Sequence, residues 1–205
     1  MSRKLWALVP VKRLGDSKTR LTPTLSARER RELTRRMYLH TLETLAQAGE
    51  KLSGILVVTA DEEALALARD RGVDTLIETG ERGLNSALRQ GTLRVADRGG
   101  DAVLVLPIDL PGLAGSVLRE ALDRLPEGRV VAIAPDRQRE GTNALVVSPL
   151  GLIDYRFGPG SFRAHLAAAR AEGSEIIVWE DRGFAHDIDV AEDLATVPFA
   201  PLDRR

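Results

Sequence analysis

Cysteine is absent from the 205 residues, which removes disulfides, thiolate metal sites and cysteine nucleophiles together. Histidine occurs only three times, and the His/His/carboxylate spacing of a zinc site is missing. An excess of one charge is lacking too: the formal net charge is -1, so no basic surplus exists to attract nucleic acid. Long apolar runs are missing as well. The basic start Met1–Lys4 is followed by about seven apolar residues before Lys12, too few for a membrane span, and no signal-peptide cleavage pattern follows. These absences lead us to expect a cytoplasmic protein with neither nucleic acid nor membrane as partner. Aromatics make up 4% and arginine greatly outnumbers lysine, a usage seen in GC-rich or heat-adapted organisms that says nothing of function. Neither the glycine-lysine phosphate loop nor the glycine-rich dinucleotide fingerprint is present. No serine stands in a nucleophile elbow with a matching histidine and acid, so hydrolase and metalloprotease readings fall.

What is present belongs to an ordinary globular enzyme, with 43% hydrophobic and 29% charged residues. The length suits a single domain over 1–205, with a loose tail expected at 197–205. Short β-rich runs alternate with amphipathic helical stretches. Strands are expected at Leu5–Val11, Gly54–Thr59, Asp74–Ile77, Ala102–Leu106, Val130–Ala134, Ala144–Ser148 and Glu175–Trp179. Ser26 and Glu29 fit a capping box, opening a helix that carries Leu33, Met37, Thr41 and Leu45 on one face. Further helices are expected after Asp61, at Asn85–Ala96, Ser116–Leu125 and Ser161–Glu172, with a short one at Ala191–Leu194. This alternation predicts an α/β fold: a mostly parallel central sheet with helices on both faces. Ligands in such sheets sit beyond the carboxyl ends of the strands, which directs attention to the loops there.

The first strand runs into Pro10-Val11-Lys12-Arg13-Leu14-Gly15-Asp16-Ser17-Lys18-Thr19-Arg20. Four cations, a glycine and two hydroxyls suit a triphosphate, which needs backbone N–H groups and positive charge; a solvated basic loop is the plainer reading. At Leu106-Pro107-Ile108-Asp109-Leu110-Pro111 a strand ends in one carboxylate held between prolines. Magnesium bound with a nucleotide takes one or two carboxylates and leaves its other positions to phosphate and water. Asp187 and Asp189 lie one residue apart, so on an extended segment both face one way and can approach one metal. Asp189 fits better as the N-cap of the helix at Ala191, and Asp187 is the better ligand. Phe157-Gly158-Pro159-Gly160-Ser161 opens a helix whose free N–H groups suit an anion, with Ser161 at the expected N-cap. Gly83-Leu84-Asn85 has the same form and is placed to meet base or ribose. Arg137–Ala144 is a polar stretch between two strands. His40 is expected to be a surface or packing residue, and His165 falls inside a helix.

Together these segments resemble the guanylyltransferases of coenzyme F-420 biosynthesis, a family comprising 2-phospho-L-lactate guanylyltransferase and its phosphoenolpyruvate-using bacterial relatives. The matching stretches are VPVKRLGDSKTRL at 9–21, RGLNSAL at 82–88, LPIDLPGL at 106–113, REGTNAL at 139–145, FGPGSFRAH at 157–165 and DIDVAEDL at 187–194. The resemblance implies a GT-A-like, Rossmann-like nucleotidyltransferase fold. It also implies a reaction joining GTP to a small phosphorylated acid, with Mg²⁺ as cofactor and pyrophosphate as second product. By the same resemblance Thr142, Gly158 and Ser161 hold the acid and magnesium lies near Asp109, to which the spacing argument adds Asp187 and Asp189 as candidate metal ligands. Lys12, Lys18 and Arg20 join Asp109 as the catalytic set, while Pro10, Lys12, Lys18, Gly83 and Asn85 line the nucleotide. A nucleotidyltransferase of the molybdenum-cofactor or sugar-phosphate type is the nearest alternative, although those have a glycine-richer first loop. A non-catalytic nucleotide-binding regulator is the alternative of a different class. The sequence chooses neither the acid nor the oligomeric state, and a homodimer is left open.

Overall fold

The computed structural model describes residues 3–80, 83–189 and 191–196. Arg82 of the RGLNSAL stretch and the tail at 197–205 lie outside them. A seven-stranded sheet has the order β3-β2-β1-β4-β6-β5-β7. Its strands are β1 (Leu5–Val11), β2 (Gly54–Thr59), β3 (Asp74–Ile77), β4 (Ala102–Val105), β5 (Val130–Pro135), β6 (Thr142–Ser148) and β7 (Glu175–Val178). All neighbours are parallel except β6, which runs antiparallel to β4 and to β5. The expected mostly parallel sheet is therefore what the chain forms. Because β6 is reversed, its first residues, Thr142 and Asn143, lie at the same edge as the carboxyl ends of the others.

Alternation along β1 divides the core. Leu5, Ala7 and Val9 face α1 (Ala27–Ala48), α2 (Glu62–Arg69) and α4 (Gly115–Asp123), meeting Tyr38, Leu42, Ala64 and Leu118. Trp6 and Leu8 face α3 (Leu84–Asp97) and α5 (Ser161–Ala171), meeting Leu88, Val95 and Phe162. Period-2 strands with both faces covered read as continuous apolar runs, which is why LWALVPV is legible as a buried strand. Gly91 lets α3 sit close: a Cβ there would lie 2.4 Å from Leu8 Cδ1 and 2.9 Å from Val58 Cγ2.

The capping box forms as expected, with Ser26 N donating to Glu29 Oε2 at 2.8 Å and Glu29 N to Ser26 Oγ at 3.3 Å. Leu33, Met37, Thr41 and Leu45 are all buried. Asp61 caps α2 by accepting from Ala64 N at 3.0 Å. Element ends shift by a residue or two from expectation; β6 begins at Thr142 and not at Ala144, and α4 ends at Asp123 and not at Leu125. A one-turn helix α6 (Arg182–Ala185) was not anticipated, being too short for a periodic signal. No helix among the described residues is long and apolar enough to cross a membrane.

A third, smaller cluster lies apart from the two faces of the sheet. Leu21 and Leu25, just beyond the basic loop, pack with Leu33 and Met37 of α1 and with Ile188. Ile188 sits between Asp187 and Asp189, so this apolar contact fastens the basic loop to the acidic segment. Leu21 and Ile188 have no exposed surface. Leu21→Ala should therefore lower stability by about 2–4 kcal/mol through lost transfer energy and the cavity left behind. The midpoint of urea unfolding is the measurement, and a change under about 0.5 kcal/mol, as at ordinary surface positions, would show that the loop is not fastened there.

Candidate active site

Both ends of the basic loop are anchored. At its start Leu14 is buried and its N–H donates to Asp61 Oδ2 at 2.9 Å. Two short 3₁₀ turns follow, Leu14–Asp16 and Thr19–Leu21. Between them Lys18 adopts φ 56, ψ 39, a left-handed conformation that is uncommon without glycine and marks a constrained position. That backbone turn aims the side chain inward, where only 9% of it remains exposed.

Lys18 Nζ donates to Asp109 Oδ2 at 3.2 Å and to Asp189 Oδ1 at 3.3 Å. Arg20 Nη1 reaches the other oxygen, Asp189 Oδ2, at 3.2 Å. Burial pushes the Lys18 ammonium down, but the carboxylates of Asp109 and Asp189 outweigh it and hold it above its ordinary value. The lysine is thus charged although nearly enclosed. Asp187 shows the converse: burial raises its carboxyl, and the nearby charge of Asp109 raises it further. Asn143 Nδ2 lies 3.5 Å from Asp187 Oδ1 and donates to Phe184 O at 2.9 Å. Ile188 N donates to Asp109 O at 3.1 Å, joining the segments of the three acids.

Several expected residues meet here: Lys18, Arg20, Asp109, Asp187 and Asp189. The Asp189 carboxylate is shared between Lys18 and Arg20, and its own N–H donates to Asp193 Oδ2 at 2.9 Å. Lys12 is exposed at the end of β1, beside half-buried Pro10, and makes no ion pair among the described residues. Among the described residues no three His, Asp or Glu side chains are grouped so as to enclose a metal by themselves. Magnesium bound with a nucleotide asks less of the protein, one or two carboxylates being enough.

The glycine-rich segment forms a second centre. Gly158 has φ 138 and Gly160 φ 70, conformations that side chains resist. Gly160, not Ser161, is the N-cap of α5. Gly supplies the left-handed entry, which displaces Ser161 one position inward, where it is buried. Asn85 faces this segment: Nδ2 donates to Phe157 O at 3.0 Å, and Oδ1 accepts from Phe157 N at 2.9 Å. Gly83, φ 137, is the N-cap of α3 just before it. Thr142 Oγ1 lies 3.0 Å from His165 Nδ1.

Two further participants, Asn143 and His165, fall inside the matching stretches at 139–145 and 157–165, but nothing in the sequence gives either a role. His165 is 23 residues from Thr142 in sequence, so no local spacing announces the pair. His40 is a packing residue, as expected, with Nε2 3.1 Å from Leu113 O.

The family model described as "Guanylyl transferase CofC like" matches residues 5–200. A phosphoenolpyruvate guanylyltransferase of Rubrobacter xylanophilus is 40% identical over 191 residues, 93% of this chain and 92% of that protein. A 2-phospho-L-lactate guanylyltransferase of Methanothermobacter thermautotrophicus is 36% identical over 194 residues, 95% of this chain and 84% of that one. Among solved structures, a putative nucleotide-diphospho-sugar transferase from Desulfovibrio desulfuricans aligns with TM-score 0.73 at 18% identity, over 94% of this chain and 85% of that one. A nucleotidyl transferase from Methanothermobacter aligns with TM-score 0.66 at 16% identity, covering 96% of both chains. The fold is that of nucleotidyltransferases.

Burial, and after it the Arg156 guanidinium, lower the His165 imidazole to about 4. An unfolded chain binds this proton near pH 6.5, so between about 6.5 and 4 the unfolded state holds more protons. Stability therefore falls as pH drops through that window, by roughly 3 kcal/mol for this one group if fully expressed. Urea midpoints at pH 7.5 and pH 5 should show the loss, and His165→Gln, which cannot titrate, should reduce it. An unchanged pH dependence in that variant would show that His165 is not held neutral.

Proposed function

As the chain belongs to the CofC-like guanylyl transferase family, we propose that it joins GTP to a phosphorylated three-carbon acid, phosphoenolpyruvate or 2-phospho-L-lactate. The products are a diphospho-5′-guanosine and pyrophosphate, and the step serves coenzyme F-420 biosynthesis. The observation that carries the reading is the cluster of Lys18, Arg20, Asp109, Asp187 and Asp189 at the carboxyl edge of the sheet, adjoining Thr142 and Asn143 at the start of β6.

The chemistry asks for little acid–base work. A phosphate oxygen of the acid, already anionic at neutral pH, attacks the α-phosphorus of GTP. The bond from that phosphorus to the bridging oxygen of the β-phosphate breaks, and pyrophosphate leaves with both electrons. No general base is needed, which fits the lack of a serine–histidine pair. The barrier lies in bringing two polyanions into line. Like unit charges about 4 Å apart repel by about 4 kcal/mol at an effective dielectric of about 20, and several such pairs meet here.

The chain's cations answer that repulsion. Lys12, exposed and without an ion pair among the described residues, takes the α-phosphate, where charge develops; Lys18 and Arg20 take the β- and γ-phosphates. The oxygen donors also fit a hard divalent cation. The Asp187 carboxyl is raised by burial first and by the charge of Asp109 second, so a cation between the two would be favoured, and both oxygens of Asp189 are already engaged by Lys18 and Arg20. Asp109 and Asp187 would hold the ion, which when bound offsets phosphate charge. Pro10, Gly83 and Asn85 frame the nucleotide, and Thr142, Gly158 and Ser161 the acid.

Incubation with GTP, Mg²⁺ and each acid should release pyrophosphate with phosphoenolpyruvate or 2-phospholactate. No release with these or with 3-phosphoglycerate rejects the reading. Asp109→Asn should lower kcat by roughly a hundredfold or more with Tm little changed, and wild-type turnover would remove Asp109 from the site.

A further inference from the structure

The hydrogen bonds of His165 define its protonation and, through it, the role of Thr142. His165 is completely buried. The backbone N–H of Arg156 points at its Nε2 at 2.9 Å. An amide N–H can only donate, so Nε2 must present its lone pair. The ring is held neutral, so its one proton is on Nδ1. Thr142 Oγ1, 3.0 Å from Nδ1, is therefore the acceptor of that bond. Its own proton is not spent on the imidazole, and Thr142 Oγ1 has no second hydrogen bond among the described residues. The opposite tautomer would consume the threonine proton and leave only lone pairs, which repel an anion.

The same ring braces the neighbouring segment. Phe157 packs edge-on against it with centroids 5.0 Å apart, and Asn85 engages the N–H and C=O of Phe157. The backbone leading into Gly158 is thus held at two successive residues, one of them through the ring that sets the Thr142 hydroxyl.

We propose that His165 is a positioning residue for the acid substrate: by donating to Thr142 Oγ1 while accepting from Arg156 N, it leaves the Thr142 hydroxyl as a dedicated proton donor to an anionic oxygen. The inference rests on the reading that Thr142 contacts the acid. His165 itself touches no substrate and transfers no proton. Its effect is on recognition of the acid and not of GTP, since neither partner of its two hydrogen bonds belongs to the Lys12–Arg20 loop.

The test is a double-mutant cycle read as separate KM values with Tm recorded. Thr142→Val and His165→Leu should each raise the KM for the acid by roughly tenfold or more, with the KM for GTP changed less than about twofold. Adding His165→Leu to Thr142→Val should raise the acid KM by less than about twofold further, because the hydroxyl it orients is already gone. His165→Gln, whose amide can accept from Arg156 N and donate to Thr142, should restore most of the affinity. If His165→Leu is too unstable to assay, His165→Asn, too short to reach both partners, takes its place. Additive effects, equal rises in both KM values, or no rescue by glutamine would overturn the proposal and leave His165 a packing residue. Wild-type protein that releases no pyrophosphate with any of the acids would instead remove the proposed reaction, and this inference with it.

Discussion

The site depends on one buried ammonium group. Three carboxylates, Asp109, Asp187 and Asp189, converge at the edge of the sheet, and such a grouping repels itself unless countercharge is held within it. Lys18 supplies that charge while nearly enclosed, and it does so only because its backbone takes a left-handed turn between two short 3₁₀ turns. Desolvation of a lysine is costly alone, but two carboxylates more than offset it here. The loop conformation, the position of Asp109 and the course of the segment after α6 are thereby tied to one another. Leu21 and Ile188 add the apolar part of the same link.

Around this centre the fold separates two tasks. The β1 loop with the β4 end gathers charge, as transfer from a triphosphate requires. The start of β6 with the entry to α5 gathers directed hydrogen bonds and glycine-permitted backbone, which under the proposed function would select the small acid. Asn143 belongs to both, lying beside Asp187 on one side and next to Thr142 in the chain. Asn85 and His165 hold the segment before Gly158 without any charge. Under the proposed function the two substrates would be bound by different physical terms, one long-ranged and screened by salt, the other short-ranged and geometric.

Much of this was legible in the sequence, for identifiable reasons. Strands buried on both faces leave unbroken apolar runs, so β1 and β2 could be read to the residue. Asp109 stood out because prolines flank it, and Lys18 because cations cluster after the first strand. What could not be read was pairing between distant segments. The reversal of β6, which begins two residues before its apolar run at Thr142, brings Thr142 beside His165, and nothing local to either residue reports that. Ser161 was misplaced by one position because serine is a good N-cap, whereas here the left-handed Gly160 takes that place. Asp189 shows the same limit: two cations arriving from a distant loop engage its carboxylate, and nothing in its local pattern announces them.

The reversed strand has a consequence of another kind. Thr142 and Asn143 are not on a loop; they open a strand that lies between β4 and β5 in the sheet. The ladder to β4 starts only at Leu145, and the register to β5 shifts between Ala134 and Pro135, the partner of Thr142. The opening of β6 is therefore paired on one side only and at an irregularity, a place where a strand bends and re-aims a side chain while the ladder behind it keeps its register.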